Sequence, residues 1–170
     1  MPEPLAVRLA VPADAAAIAV LSRDHIEQGL PWRWRPERIV RAIRDRDTNV
    51  AVVGEPGAIV AFGIMSYNDD DAHLLLFAVQ HSSRRRGIGS ALLKWLEEVA
   101  GSAGARRIRL EARRDNPAAR HFYSEHGYHE QALVDSMYCG IADGVLLEKW
   151  LRDPLDRLPA GLPAAVFGRP

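Results

Sequence analysis

Seven consecutive residues carry the strongest chemical signal in the chain: Arg84-Arg85-Arg86-Gly87-Ile88-Gly89-Ser90. Three guanidiniums supply charge and forked donors suited to phosphate oxygens. Gly87 and Gly89 let the backbone come close to a ligand. From Ile88 onward apolar residues recur at 88, 91, 92, 95, 96 and 99, the spacing of one helical face. A helix starting there turns its free N–H groups toward an anion. Before the loop, Leu74 to Val79 are all apolar and read as a strand covered on both faces. The junction therefore reads as a diphosphate site. Two common nucleotide patterns do not fit it. A P-loop needs Lys-Ser or Lys-Thr after its last glycine, and Gly89 is followed by Ser90-Ala91. A dinucleotide fingerprint needs a small residue at 92, which is Leu.

Other residues with chemical reach are scattered. Trp32 and Trp34 alternate with Arg33 and Arg35 between Pro31 and Pro36. Two readings stand side by side: a loop packing its indoles under a helix, or the aromatic wall of a substrate cleft. Asn68-Asp69-Asp70-Asp71 reads as a solvated turn, because no glutamate follows at calcium-loop spacing. His25, His73, His81, His121, His126 and His129 show no ligand spacing, so no metal is expected. The one cysteine, Cys139, excludes an internal disulfide.

The whole chain bounds these possibilities. At 170 residues, with 48% hydrophobic and 26% charged residues, it has the size and composition of one globular domain. Lys plus Arg and Asp plus Glu both number 22. A zero net charge argues against a general nucleic-acid binder. The first residues carry Glu3, Arg8 and Asp14 and lack a signal-peptide layout. No apolar run approaches the roughly 20 residues that span a bilayer. A cytoplasmic protein without a membrane partner is expected.

The elements that must position the loop can be read in order. Leu5 to Leu9 reads as a strand, and Asp14 is placed to cap a helix running to Ser22. Pro36 to Arg46 reads as a second helix. Asn49–Val53 and Ile59–Tyr67 read as an antiparallel hairpin about Glu55-Pro56-Gly57. After the long helix, Arg107 to Ala112 alternates: Ile108, Leu110 and Ala112 face one way, Arg107, Arg109 and Glu111 the other. Asn116-Pro117 opens a short helix that carries Phe122 and Tyr123 and stops at Gly127. Tyr128–Val134 and Val145–Leu151 read as two last strands, joined by an Asp135–Gly144 loop. The order β-α-α-β-β-β-α-β-α-β-β predicts an α/β (α+β) fold: a mixed, mostly antiparallel sheet of about seven strands with helices on both faces. Residues 1–151 form that domain. Residues 152–170 form a tail broken by Pro154, Pro159, Pro163 and Pro170, with apolar residues for contact with the domain or with a second subunit in a homodimer.

Two segments together resemble one family. Arg84-Arg85-Arg86-Gly87-Ile88-Gly89 resembles the (Gln/Arg)-x-x-Gly-x-(Gly/Ala) acetyl-CoA signature of the GNAT superfamily of N-acetyltransferases. Downstream, Asn116-Pro117-Ala118-Ala119-Arg120-His121-Phe122-Tyr123-Ser124-Glu125-His126-Gly127-Tyr128 resembles that family's Asn-x-x-Ala-x-x-(apolar)-Tyr-x-x-x-Gly-(Phe/Tyr) segment. Leu110-Glu111-Ala112-Arg113-Arg114-Asp115-Asn116 is similar to a Leu-Glu-Val-Arg-x-x-Asn run in ribosomal-protein alanine N-acetyltransferases. Met137-Tyr138 followed by Ala142-Asp143-Gly144 loosely resembles their C-terminal region, with Met-Tyr in place of Tyr-Tyr.

The resemblance implies an acetyl-CoA-dependent transfer of an acetyl group to a primary amine of a small molecule or protein, with coenzyme A as product. It places the cofactor at a V-shaped opening between the strands Leu74–Val79 and Arg107–Ala112. Backbone groups of Phe77, Ala78 and Val79 pair with the pantetheine arm. Amides from Arg84, Arg85, Arg86, Gly87, Ile88, Gly89 and Ser90 hold the pyrophosphate, and Asn116 and Tyr123 meet the cofactor. Tyr123 is the implied acid. Glu111 is the implied base, with an ion pair to Arg109 or Arg113 as its alternative role. Trp32, Trp34 and Tyr138 are candidate acceptor contacts. His81 stands where many members have proline. The rival to an enzyme is a non-catalytic acyl-CoA-binding sensor or interaction module.

Overall fold

In the computed structural model, residues 6–152 are described. The first residue of the first expected strand and the tail beyond Arg152 lie outside them. Among the described residues there are seven strands: β1 (Val7–Leu9), β2 (Thr48–Glu55), β3 (Ala58–Asn68), β4 (Asp71–Val79), β5 (Arg107–Arg113), β6 (His129–Tyr138) and β7 (Ala142–Trp150). Four α-helices join them: α1 (Ala15–His25), α2 (Pro36–Arg44), α3 (Ile88–Ser102) and α4 (Pro117–Glu125). The strands form one sheet in the order β1-β2-β3-β4-β5-β7-β6. Only β4 and β5 pair in parallel; every other neighbouring pair is antiparallel. This is the mixed sheet the element order predicts.

Two apolar layers cover the two faces. On one face α3 buries Ile88, Leu92, Leu93, Leu96 and Ala100 against Ala51, Val53, Met65, Leu74, Ile108 and Leu110. The buried helical face is therefore turned slightly from the sequence reading: Ala91 is exposed, and Trp95 and Val99 lie at its margin. Gly63 on β3 makes room for this contact, since a Cβ there would sit 2.6 Å from Leu96 Cδ1. On the other face α1 and α2 pack Ile18, Ala19, Leu21 and Ile39 over Val50, Val52, Phe62, Ile64, Leu76 and Ala78. Burying each such aliphatic side chain stabilises the fold by about 1.5–3 kcal/mol.

Asp14 does not cap α1 with its side chain. It lies in a short 3-10 turn (Pro12–Asp14) and reaches backwards, accepting from Val11 N at 2.8 Å and from Arg8 Nη1 and Nη2 at 2.8 and 3.0 Å. Its carboxylate is fully buried. The bonds from Arg8 hold that carboxyl below the usual carboxylate range. Asp14→Ala leaves an Arg8 guanidinium and a backbone N–H without their partner. It is expected to cost about 3 kcal/mol, read as a lower urea midpoint with an unchanged slope.

The segment Asp135–Gly144 is not a loop. β6 and β7 continue through it and turn only at residues 139–141. Polar residues hide these strands because β6 is an edge strand exposed along nearly its whole length. A break in register between Val134 and Tyr138 takes up the slack, with Ser136 and Cys139 at φ of 55° and 54°. Ser136 N donates to Asp143 Oδ1 at 2.8 Å across the irregularity.

Candidate active site

The site begins where one ladder ends. β4 and β5 pair over Asp71↔Arg107, Ala72↔Ile108, His73↔Arg109 and Leu74↔Leu110, and no further. Beyond Leu74 the two strands keep different company. β4 continues along β3, with Leu76↔Ile64 and Val79↔Ala61. β5 continues along β7, with Glu111↔Leu146 and Arg113↔Gly144. A wedge opens between them, bordered by backbone groups of Leu75 to Val79 that no described strand pairs on that side.

A bulge sets the geometry of the wedge. Met65 pairs with Leu74 and Ile64 with Leu76, so Leu75 is one residue too many for the ladder. Extra residues re-aim the side chains that follow them. Leu74 joins the α3-side layer, Leu75 and Leu76 both join the α1-side layer, and Phe77 returns to the α3 side. The all-apolar run Leu74–Val79 thus serves both faces with a change of phase in its middle.

Acid and base candidates enter the wedge from opposite faces. On β5, Ile108, Leu110 and Ala112 belong to the α3-side layer, so Glu111 projects to the other face. Tyr123 on α4 belongs to the α3 side. It is 7% exposed, with Phe77, Phe122 and Tyr128 rings at 6.2, 5.4 and 5.7 Å. Both side chains nevertheless line one cavity of about 90 Å³, together with Leu75, Phe77, Asn116 and Tyr138. His25, Ile26 and Arg113 complete its rim.

Burial pushes the Tyr123 phenol well above its ordinary range, so it keeps its proton. Tyr138 is pushed up to about 12, first by burial and then by the negative charge of Glu111. Burial raises Tyr128 and Tyr67 as well, which accounts for all four tyrosines. A raised folded value means a stability contribution complete below the unfolded phenol value of about 10 and lost as pH climbs above it. The unfolding midpoint is therefore expected to fall above about pH 10, with phenolate absorbance appearing together with unfolding rather than before it.

Glu111 does not pair with the arginines beside it. Its Oε2 lies 2.5 Å from His73 Nε2. Arg113 instead binds Asp115 through Nε and Nη2 at 3.1 and 3.2 Å and reaches Gln28 O through Nη1 at 2.6 Å. Arg109 leans toward Asp71 at 3.9 Å. The ion-pair alternative for Glu111 is replaced by an imidazole that the sequence reading left unassigned.

The loop between β4 and α3 matches what an extended diphosphate needs. Gly87 is the N-cap of α3 at φ 77°, and no side chain caps that helix end. The first N–H groups of α3 are left for an anion. A Cβ on Gly89 would touch Val79 and Phe122 at 3.4 and 3.5 Å, which marks how closely the helix start sits against β4 and α4. Arg85 and Arg86 are exposed. Arg84 is folded back, its Nε donating to Val79 O at 3.2 Å and its Nη2 lying 3.5 Å from His25 Nδ1. The Ser90 hydroxyl lies 2.9 Å from His126 Nε2, while His126 Nδ1 donates to Phe122 O at 2.7 Å. His126 thereby ties the end of α4 to the start of α3, a role without a sequence signal. Asn116 caps α4, its Oδ1 accepting from Ala119 N at 3.1 Å, and borders the cavity.

Trp32 and Trp34 are not among the residues lining the cavity. They pack on the α1–α2 layer, Trp32 between Arg23 and Arg35 and Trp34 under Arg38 at 3.8 Å. Their loop is organised by Glu27, a buried carboxylate accepting from Ser22 Oγ and from the backbone N–H groups of Arg33 and Trp34. The loop-packing reading describes their position. No group of three His, Cys, Asp or Glu among the described residues is placed to hold a metal. No described helix is long and apolar enough to cross a membrane.

Comparison with known proteins bears on the same stretch. Residues 17–128 match the acetyltransferase (GNAT) family. An uncharacterized N-acetyltransferase of Methanocaldococcus jannaschii is 35% identical over 94 residues, covering 55% of this chain and 60% of that protein's length. The ribosomal protein bS18-alanine N-acetyltransferase of Escherichia coli is 30% identical over 115 residues, covering 67% of this chain and 77% of its own. In three dimensions the PaiA N-acetyltransferase of Thermoplasma acidophilum, solved with coenzyme A, superposes with a TM-score of 0.72 at 17% identity. It covers 86% of this chain and 99% of its own.

Proposed function

This chain belongs to the GNAT acetyltransferase family, and from that premise we propose that it transfers the acetyl group of acetyl-CoA directly to a primary amine. The observation that carries the reading is the wedge between β4 and β5. A carboxylate enters it from one face and a protonated phenol from the other, beside an uncapped helix start.

Each part has a role in the proposal. Backbone groups of Phe77, Ala78 and Val79 pair with the amide-bearing arm of the cofactor, as an added strand pairs with a sheet edge. The amides from Arg84 to Ser90 and the exposed guanidiniums hold the diphosphate. Asn116, beside the cavity, meets the cofactor arm. The acceptor amine arrives on the α1 side, where Tyr138 and Glu111 lie. An amine attacks a thioester only when neutral, and amines have ordinary values of about 8 to 10.4. Glu111 takes its proton, directly or through one water. As the carbon–sulfur bond breaks, Tyr123 on the far face gives its proton to the sulfur. Burial strengthens the sulfur's hold on a proton as well, so the transfer is matched in the dry cavity.

For the acceptor we propose the α-amine of a peptide or protein. The E. coli relative is named for the alanine of a ribosomal protein, and the Leu110–Asn116 run is similar to its family. Isothermal titration with acetyl-CoA is the first test, and micromolar binding is expected. Thiol release on adding an alanine-first hexapeptide, compared with spermidine, is the second. No binding at high micromolar acetyl-CoA would overturn the proposal. Release with spermidine alone would overturn the acceptor class.

A further inference from the structure

His73 and Glu111 meet beside the last rungs of the parallel ladder before the strands part. We propose that His73 is a positioning residue for Glu111, orienting the carboxylate that receives the acceptor's proton without placing a permanent charge on it. This rests on the reading of Glu111 as the base.

The argument is one of chemistry at a fixed place. An ionised carboxylate has no proton to donate, so the 2.5 Å contact fixes a proton on His73 Nε2. That bond immobilises Oε2 and leaves the other oxygen to accept from the amine. Two arginines, Arg109 and Arg113, are close along the same strand and face. Either would bind a carboxylate more strongly than an imidazole does. A guanidinium, however, is always charged and would lower the basicity of its partner. Here both guanidiniums are turned toward other acceptors, Arg109 toward Asp71 and Arg113 to Asp115 and Gln28 O. The partner left for Glu111 is an imidazole, whose charge, unlike a guanidinium's, is not permanent. The pair is also only partly buried, with side-chain exposures of 34% and 31%. A contact so open adds little to stability, whereas a base needs that access to its acceptor.

The charged and titratable groups around the pair are Asp71 on β4, Arg107, Arg109 and Arg113 on β5, Tyr138 on β6 and Glu148 on β7. Asp115 just past β5 pairs with Arg113, and His25 at the end of α1 lines the same cavity as Glu111. The arginine charges there are engaged by Asp71, Glu148 and Asp115.

The test compares His73→Leu, His73→Gln, Glu111→Gln and the Leu/Gln double variant in thiol release from acetyl-CoA with the alanine-first hexapeptide. His73→Leu should lower kcat about tenfold with the KM for acetyl-CoA unchanged. His73→Gln keeps an N–H donor, so it should retain most of the turnover that His73→Leu loses. In the Glu111→Gln background His73→Leu should cost nothing further, because its effect passes through the carboxylate. Wild-type kcat in His73→Leu would overturn the inference, as would an undiminished loss in the Glu111→Gln background. If Glu111→Gln lowers kcat and His73→Leu does not, only this inference falls. If Glu111→Gln leaves kcat intact, the base assignment falls with it.

Discussion

Tyr123→Phe is expected to lower kcat about a hundredfold while acetyl-CoA affinity stays close to wild type. The phenol is the protonated group on the α3 side of the wedge, opposite Glu111. Its ring is held by Phe77, Phe122 and Tyr128. Phenylalanine keeps those ring contacts and removes only the hydroxyl, so the fold and the cofactor arm keep their surroundings. On the proposed mechanism, what disappears is the proton for the departing sulfur, an interaction made in the transition state alone, and such losses appear in kcat. Single-turnover acetyl transfer to the alanine-first hexapeptide measures the effect. Turnover equal to wild type would remove the acid role from Tyr123 and leave cofactor binding untouched.

Gly89→Asp should produce the largest loss in acetyl-CoA affinity. The residue lies in the first turn of α3, beside Val79 and Phe122. A carboxylate there suits the helix, whose N-terminus favours negative charge, so the thermal midpoint should hold or rise slightly. The same charge occupies the place proposed for the diphosphate. At a separation of about 6 Å and an effective dielectric constant near 20, two like charges repel by roughly 3 kcal/mol, about a hundredfold in the dissociation constant. Titration calorimetry at two salt concentrations separates the effects, because charge repulsion is partly screened and a steric block is not. Affinity unchanged from wild type would move the diphosphate away from this loop.

The parts legible in the sequence are those whose determinants are local. The Arg84–Ser90 loop and the Asn116–Gly127 helix declare themselves through glycine, proline and capping chemistry within a few residues, and the structure gives both the expected backbone. Strand β5 shows its two faces by alternation alone. What stayed hidden depends on register across the sheet or on a single buried polar group. His73 and Glu111 are 38 residues apart and meet only because β4 and β5 align as they do. The two strands of the β6–β7 hairpin are legible, but its Asp135–Gly144 end reads as a loop because an exposed edge strand needs no apolar pattern. The Trp32–Trp34 loop takes its shape from Glu27, one carboxylate that satisfies two backbone N–H groups and a hydroxyl. No residue spacing announces that.

The four-rung parallel ladder has a consequence for the molecule as a whole. It makes the sheet two leaves, β1 to β4 and β5 to β7, sewn together along a short seam. Arg107 is the stitch: it grips Asp71 on one leaf through two bonds at 2.8 and 3.1 Å and Glu148 on the other at 3.2 Å. Past the seam the leaves are held apart, and the opening is the place a ligand backbone can lie. A longer ladder would make a tougher sheet with nowhere to bind. A shorter one would let the leaves drift and separate Glu111 on β5 from His73 on β4. The length of this seam therefore sets cohesion and reactivity against each other at a single line in the fold.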